Sequence, residues 1–332
     1  MTFANLRSRY LIGILAMALL LPTAVGAITF ERIVVFGGST SDSGNAFALL
    51  KFAHRPPYDQ FDLALSLVPS GPYSVGGHHF SNGATWIEQF ARGSGLGGSV
   101  RPAFASSNPH ATNYAVGGAR ATDDGINLNL PQQISAFLSD FDHVAPADAL
   151  YVIDFGGNDV RDALVADDPE LVLENALASI AAHIRVLYAA GARKFLVLNV
   201  ADIGALPAVQ IIENSFPGAA LAATFLTRVF NSQLDVILAL LGAFPEIQIA
   251  RLDVFGKVNE MITDPNAFGL SEIEDACITP KVPPFSCKNP DQYLFWDGVH
   301  ATKAVHAIFA AEAARVLGLT RSDRGAARVT RD

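Results

Sequence analysis

The sequence predicts an α/β fold in which a mostly parallel sheet is covered by helices on both faces. Three observations carry that expectation. Short β-branched runs alternate with longer amphipathic stretches through most of the 332 residues, the pattern of parallel strands joined by crossover helices. The first three strand-like runs end in glycine and polar residues, and such folds place their ligands at the carboxyl ends of the strands. No linker, repeat or low-complexity tract divides the chain, so residues 28–332 are expected to form a single domain.

Residues 1–27 read as an export signal. Arg7 and Arg9 precede the apolar run 10–21, and Pro22 to Ala27 supplies small residues suited to signal peptidase. The run is short for a bilayer span, with an uncleaved anchor as the alternative. No later run is expected to reach transmembrane length. The net charge of −9 disfavours nucleic acid and anionic membranes as partners. The two cysteines, Cys277 and Cys287, lie in a proline-rich stretch. In an exported protein they are expected to close a disulfide loop over 278–286, against the alternative of two free thiols.

Ile33 to Phe36 reads as a buried strand that breaks at Gly37-Gly38 and presents Ser39 at its end. Residues 42–52 read as a short helix. Residues 55–77, with Pro56, Pro57, Pro69 and Pro72, read as a surface excursion able to shape a substrate pocket. Trp86, Ile87 and Phe90 fall at helical spacing and are assigned to the core. Residues 93–98 match G-x-G-x-x-G by letter only, because a helical stretch precedes them and Arg101-Pro102 follows. The remaining strands are expected over 111–116, 149–154, 194–200 and 247–253. Between them, Pro131 starts a helix carrying Ile134, Phe137, Leu138 and Phe141 on one stripe. Pro169 starts another, with Val172, Ala176, Ile180, Ile184 and Leu187 aligned and Gly191 as its stop. Further helices are expected over 219–241 and 302–317, the last turning Val305, Ile308, Phe309, Ala313 and Val316 to the core.

Ser39, Gly118 and Asn158 each sit just past a predicted strand end, so they converge although distant in sequence. A serine hydroxyl is a weak nucleophile near neutral pH and needs a base within hydrogen-bonding reach. His300 is the candidate base. Asp297 stands three residues before it, immediately ahead of the last helix, where one short loop presents both groups. The other seven histidines are read as structural.

Four ordered blocks, Phe36-Gly37-Gly38-Ser39, Asn113 to Ala119, Phe155 to Asp159 and Asp297 to His300, together resemble the SGNH or GDSL family of serine ester hydrolases. The resemblance covers most of the chain. It implies a flavodoxin-like three-layer α/β/α sandwich with a five-stranded sheet, and an exported lipase or esterase working through an acyl-enzyme on Ser39. It implies oxyanion donors from the N–H of Ser39, the N–H of Gly118, with Gly117 the alternative, and the amide of Asn158. No metal or nucleotide cofactor is implied, and the expected partner is a small-molecule or lipid ester.

Two positions depart from the family pattern. Gly38 replaces the aspartate of Gly-Asp-Ser, and Ala301 replaces the proline that commonly follows the histidine. Asp154 stays open, as a substrate contact or a rival to Asp297. Acyl transfer, lysophospholipid or acetylated-carbohydrate hydrolysis, and a non-catalytic binding protein stand as alternatives.

Overall fold

The computed structural model describes residues 27–59, 67–105, 110–280 and 282–319. Of the expected leader, 1–26 lies outside these residues. Strand β1 (Arg32–Gly37) forms where Ile33, Val34, Val35 and Phe36 are fully enclosed, as suits branched and aromatic side chains on a pleat. Helices α1 (Asn45–Leu50), α2 (Trp86–Gly93) and α3 (Leu130–Asp140) follow. Then come β2 (Ala149–Asp154), the short α4 (Gly157–Ala163), α5 (Pro169–Ala190) and β3 (Lys194–Leu198). Helices α6 (Pro207–Glu213) and α7 (Ala219–Leu241) lead to β4 (Gln248–Leu252) and α8 (Val254–Thr263). Two outlying strands, β5 (Glu272–Ala276) and β6 (Tyr293–Phe295), precede α9 (Lys303–Val316).

The main sheet has the order β1-β2-β3-β4, every neighbouring pair parallel. Right-handed crossovers between parallel strands distribute the helices over both faces. Accordingly α2 packs on α9, while α5 packs against α3 and α7. Trp86, Ile87 and Phe90 are buried as expected. Residues 93–98 form the loop leaving α2. On α9, Val305, Phe309 and Ala313 face the core, but Ile308 and Val316 are only half-buried, and His306, Ala310 and Ala314 are buried in addition.

The expectation of five regular strands is corrected at residues 111–116. This segment does run parallel beside β1: Val35 donates to the Thr112 carbonyl at 2.9 Å, and Tyr114 and Val116 donate to Val35 and Gly37 at 2.8 and 3.0 Å. It forms only isolated bridges, to Val35 on one side and Pro102 on the other, and side chains take part of its remaining backbone. Asn45 donates to the carbonyls of Asn113 and Ala115 at 2.8 Å each, and the Asn113 amide oxygen accepts the N–H of Ala115. The segment holds the edge position without being a regular strand.

A second correction concerns length and hydropathy. Helices α5 and α7, of 22 and 23 residues, are long and apolar enough by length and composition to cross a membrane. Each presents a buried stripe to the sheet side, Leu173, Leu177, Ile180 and Ile184 in α5 and Phe230, Leu234 and Leu238 in α7.

Candidate active site

The site lies at the carboxyl ends of β1 and β2. Ser39 Oγ is 2.8 Å from His300 Nε2, and His300 Nδ1 is 2.8 and 3.0 Å from the two oxygens of Asp297. With a carboxylate accepting at Nδ1, the tautomer protonated there leaves Nε2 to accept from the serine hydroxyl. Asp297 is fully enclosed, and His300 is 8% exposed. Phe80 lies against the imidazole with ring centroids 5.2 Å apart.

A tight turn fixes this pair. Trp296 N–H donates to the His300 carbonyl at 2.7 Å, while Asp297 Oδ1 accepts the N–H groups of Val299 and His300 at 2.9 and 2.8 Å, an aspartate hydrogen-bonding its own turn. Asp297 Oδ2 accepts a further bond from the Tyr73 hydroxyl at 2.7 Å. Burial, then the neighbouring carboxylate, pushes the Tyr73 phenol well above its usual range, so it stays a donor. The described residues of 55–77 do not line the catalytic cavity as expected. They stand behind the acid: Tyr58 and Tyr73 pack on Trp296, and the Leu67 carbonyl accepts from Gly298. The Cys277–Cys287 disulfide is present, and next to it Cys277 and Ile278 donate to the carbonyls of Phe295 and Trp296 at 3.1 and 2.9 Å.

The second and third blocks come up against the nucleophile turn, since a Cβ at Gly38 would lie 3.6 Å from Asn158 Nδ2 and 3.7 Å from the Ala119 carbonyl. The N–H groups of Ser39 and Gly118 have no acceptor among the described residues. Gly117 is excluded from that role, because its N–H donates to Asp42 Oδ2 at 2.9 Å. A Cβ at Gly117 would fall 2.2 Å from the Phe80 ring, and Gly118 has φ +84, so each glycine has its own requirement. Asn158 opens α4, and its amide donates to the Ala119 carbonyl at 2.7 Å, leaving the second amide hydrogen available. Ser39, His300 and Asp297 are thus joined by hydrogen bonds, and Asn158 bonds to Ala119, the residue after Gly118.

Asp154 is not a second partner of His300. Its Oδ2 accepts from Ser41 Oγ at 2.6 Å, and Ser41 Oγ in turn accepts from Trp86 Nε1 at 2.9 Å. Burial pushes its carboxyl up to about 6. Asp42 accepts the N–H groups of Gly44, Asn45, Ala46 and Gly117, joining the nucleophile turn, α1 and the second block. Burial pushes this carboxyl up, and the four donors pull it back. Gln133 exchanges two bonds of 2.9 Å with the backbone of Gly37. Tyr73, Ser41 and Gln133 escaped the sequence reading because each meets its partner only through the fold.

A cavity of about 150 Å³ opens beside Ser39. Its wall is largely apolar, with Phe155, Val200, Ile203, Leu206 and Val254 among the side chains. Arg161, Asp154, His300 and His306 are its ionisable members. His306 accepts the Trp86 N–H on Nδ1, and burial drives its pKa down to about 3, so its ring is neutral. Burial likewise lowers the pKa of Arg161 from its ordinary value. Among the described residues no group of three or more His, Cys, Asp or Glu is arranged to hold a metal.

A family profile described as GDSL-like Lipase/Acylhydrolase matches residues 33–313. The chain belongs to the GDSL-like lipase/acylhydrolase family. One GDSL esterase/lipase of Arabidopsis thaliana is 25% identical over 319 residues, covering 82% of this chain and 84% of the relative. GDSL esterase/lipase 5 of the same plant is 25% identical over 317 residues, covering 84% and 80%. Among solved structures, a catalytic mutant of an acetylxylan esterase from Geobacillus stearothermophilus aligns over 88% of this chain and 95% of its own, with 16% identity and a TM-score of 0.44. As a GDSL member, this protein is a serine ester hydrolase acting on carboxylic esters. Its two departures from the family pattern are sterically mild. A Cβ at Gly38 would meet Asn158 Nδ2 and the Ala119 carbonyl at ordinary contact distances of 3.6 and 3.7 Å. The N–H of Ala301 has no acceptor among the described residues, so nothing is lost or gained there relative to proline.

Proposed function

We propose that the protein is an exported esterase that hydrolyses short-chain or compact carboxylic esters through an acyl-enzyme on Ser39. The observation that carries this reading is the continuous chain from Ser39 Oγ through His300 to Asp297, with links of 2.8 and 2.8 Å. Ser39 attacks the acyl carbonyl as His300 Nε2 takes its proton. Asp297 holds the tautomer and stabilises the imidazolium. The N–H groups of Ser39 and Gly118 and the free amide hydrogen of Asn158 receive the charge that develops on the carbonyl oxygen. His300 then returns the proton to the leaving alcohol, and a water activated by the same nitrogen releases the acid.

The cavity size supports a compact substrate, since a volume of roughly 150 Å³ admits a molecule about as large as benzene. The disulfide supports export, because such bonds persist in oxidising compartments. The experiment is covalent labelling by a fluorophosphonate together with hydrolysis of 4-nitrophenyl esters of increasing chain length. Labelling and turnover are both expected to vanish in Ser39→Ala, and Asn158→Ala is expected to lose about 10²- to 10³-fold in kcat. Folded protein that neither labels nor turns over any ester removes this reading.

A further inference from the structure

Arg161 and Asn158 occupy one face of α4, three residues apart, and both line the cavity beside Ser39. Three residues of helix rise about 4.5 Å, so the guanidinium stem starts one turn beyond the amide that faces the reacting carbonyl. Arg161 makes no hydrogen bond or ion pair among the described residues. Asp162 beside it in sequence and the other ionisable residues of the cavity wall are all engaged. Asp162 is clasped by Arg120 at 2.6 and 3.1 Å. Asp154 is taken by Ser41, His300 by Ser39 and Asp297, and His306 by Trp86.

Arg161 is half-buried, and an arginine keeps its charge in such a place and presents five donors in a planar fork. Placing that fork against a mostly apolar wall without an acceptor is unfavourable for the protein alone. The same arrangement is favourable once a carboxylate or phosphate supplies two oxygens in the plane of the fork. Nothing in the reaction itself calls for a second cation, because the oxyanion already has neutral donors.

We propose that Arg161 is a substrate-binding residue that selects esters bearing an anionic group, a carboxylate or a phosphate, close to the scissile bond. The proposal rests on the hydrolase reading and refines its substrate class. The anion enters with the substrate, pairs with the guanidinium and sets the register of the ester over Ser39. It takes no part in proton transfer.

The test has two arms. On the acyl side, kcat/KM is compared for 4-nitrophenyl hemisuccinate and 4-nitrophenyl butyrate; on the alcohol side, for 1-acetylglycerol 3-phosphate and 1-acetylglycerol. A hydrogen-bonded charged pair contributes about 1.5–3 kcal/mol, so Arg161→Gln is expected to lower the anionic-to-neutral ratio by about tenfold or more in one arm. The arm that responds tells which side of the ester carries the charge. A ratio unchanged within about twofold in both arms overturns the proposal. Calorimetric binding of succinate and of glycerol 3-phosphate to Ser39→Ala protein, with and without Arg161→Gln, gives a readout that needs no turnover. Binding lost with the arginine upholds the anion site even where no ester is hydrolysed, which separates failure of this proposal from failure of the hydrolase reading. The melting temperature of Arg161→Gln is expected to equal or exceed that of the parent, since a half-buried charge without a protein partner among the described residues is removed. A fall of more than about 5 °C would mark the guanidinium as structural and count against the proposal.

Discussion

Tyr73 and His300 converge on a single oxygen of Asp297, the phenol at 2.7 Å and the imidazole Nδ1 at 2.8 Å. The carboxylate is thereby held from both sides in a fully enclosed position. Tyr73→Phe removes one donor and leaves the shape. It is expected to lower kcat about tenfold and stability by about 1–3 kcal/mol, read from steady-state kinetics and denaturant unfolding. Unchanged kcat would show that the imidazole alone keeps the acid aligned.

The raised pKa of Asp154, about 6 against 3.8 for an ordinary aspartate, makes a statement about pH and stability. A carboxyl that binds its proton more tightly in the folded protein than in the unfolded chain favours folding at low pH. That contribution disappears as pH rises from about 4 to about 6. Asp154→Asn imitates the protonated form, so it should lose less stability than the parent across this window. The gap at pH 7 is expected to be on the order of 1–3 kcal/mol. Asp159, also pushed up to about 6, is present in both proteins and cancels from the difference. Parallel stability curves would remove Asp154 as the titrating group.

Gly37 and Gly38 are adjacent but not equivalent. A Cβ at Gly37 would lie 3.0 Å from Asp154 Cβ and 3.1 Å from its carbonyl oxygen, whereas one at Gly38 meets nothing closer than 3.6 Å. Gly37→Ala is therefore expected to be destabilised by about 1–3 kcal/mol, and Gly38→Ala to melt within a few degrees of the parent. Thermal unfolding of the two variants side by side decides it.

The disulfide closes a loop with a sequence separation of 10 residues, which on chain-entropy grounds stabilises the fold by about 3 kcal/mol. Its neighbours Cys277 and Ile278 are bonded to the strand that leads into Asp297. In a titration with reductant, activity is expected to fall before the unfolding signal moves. Coincident loss of the two would assign the bond to global stability only.

Where local pattern and tertiary environment agreed, the fold was legible. The Ile33–Phe36 run is enclosed on every side, and Pro169 with Gly191 brackets α5 because the first needs no N–H bond and the second closes the helix. The hydrogen-bonded set Ser39, His300 and Asp297 was legible because its members fall at the end of a strand or in one tight loop. The segment 111–116 was misread as a regular strand because its backbone is shared among β1, the 99–103 stretch and the side chains of Asn45 and Asn113, a division invisible to periodicity. Strands β5 and β6 were missed because they are short and outlying, and Glu272 to Ala276 carries three acidic residues. Tyr73 had no local signal, since its partner Asp297 is 224 positions away.

Through one carboxylate, Asp42, the turn bearing Ser39 and the loop bearing Gly118 are bolted into a single piece. The two backbone N–H groups proposed to receive the oxyanion should therefore travel together when the protein breathes, and a change to Asp42 would displace both at once. Efforts to widen or reshape the binding space are better directed at Ile203 and Leu206, which line the cavity and are not bonded to Asp42.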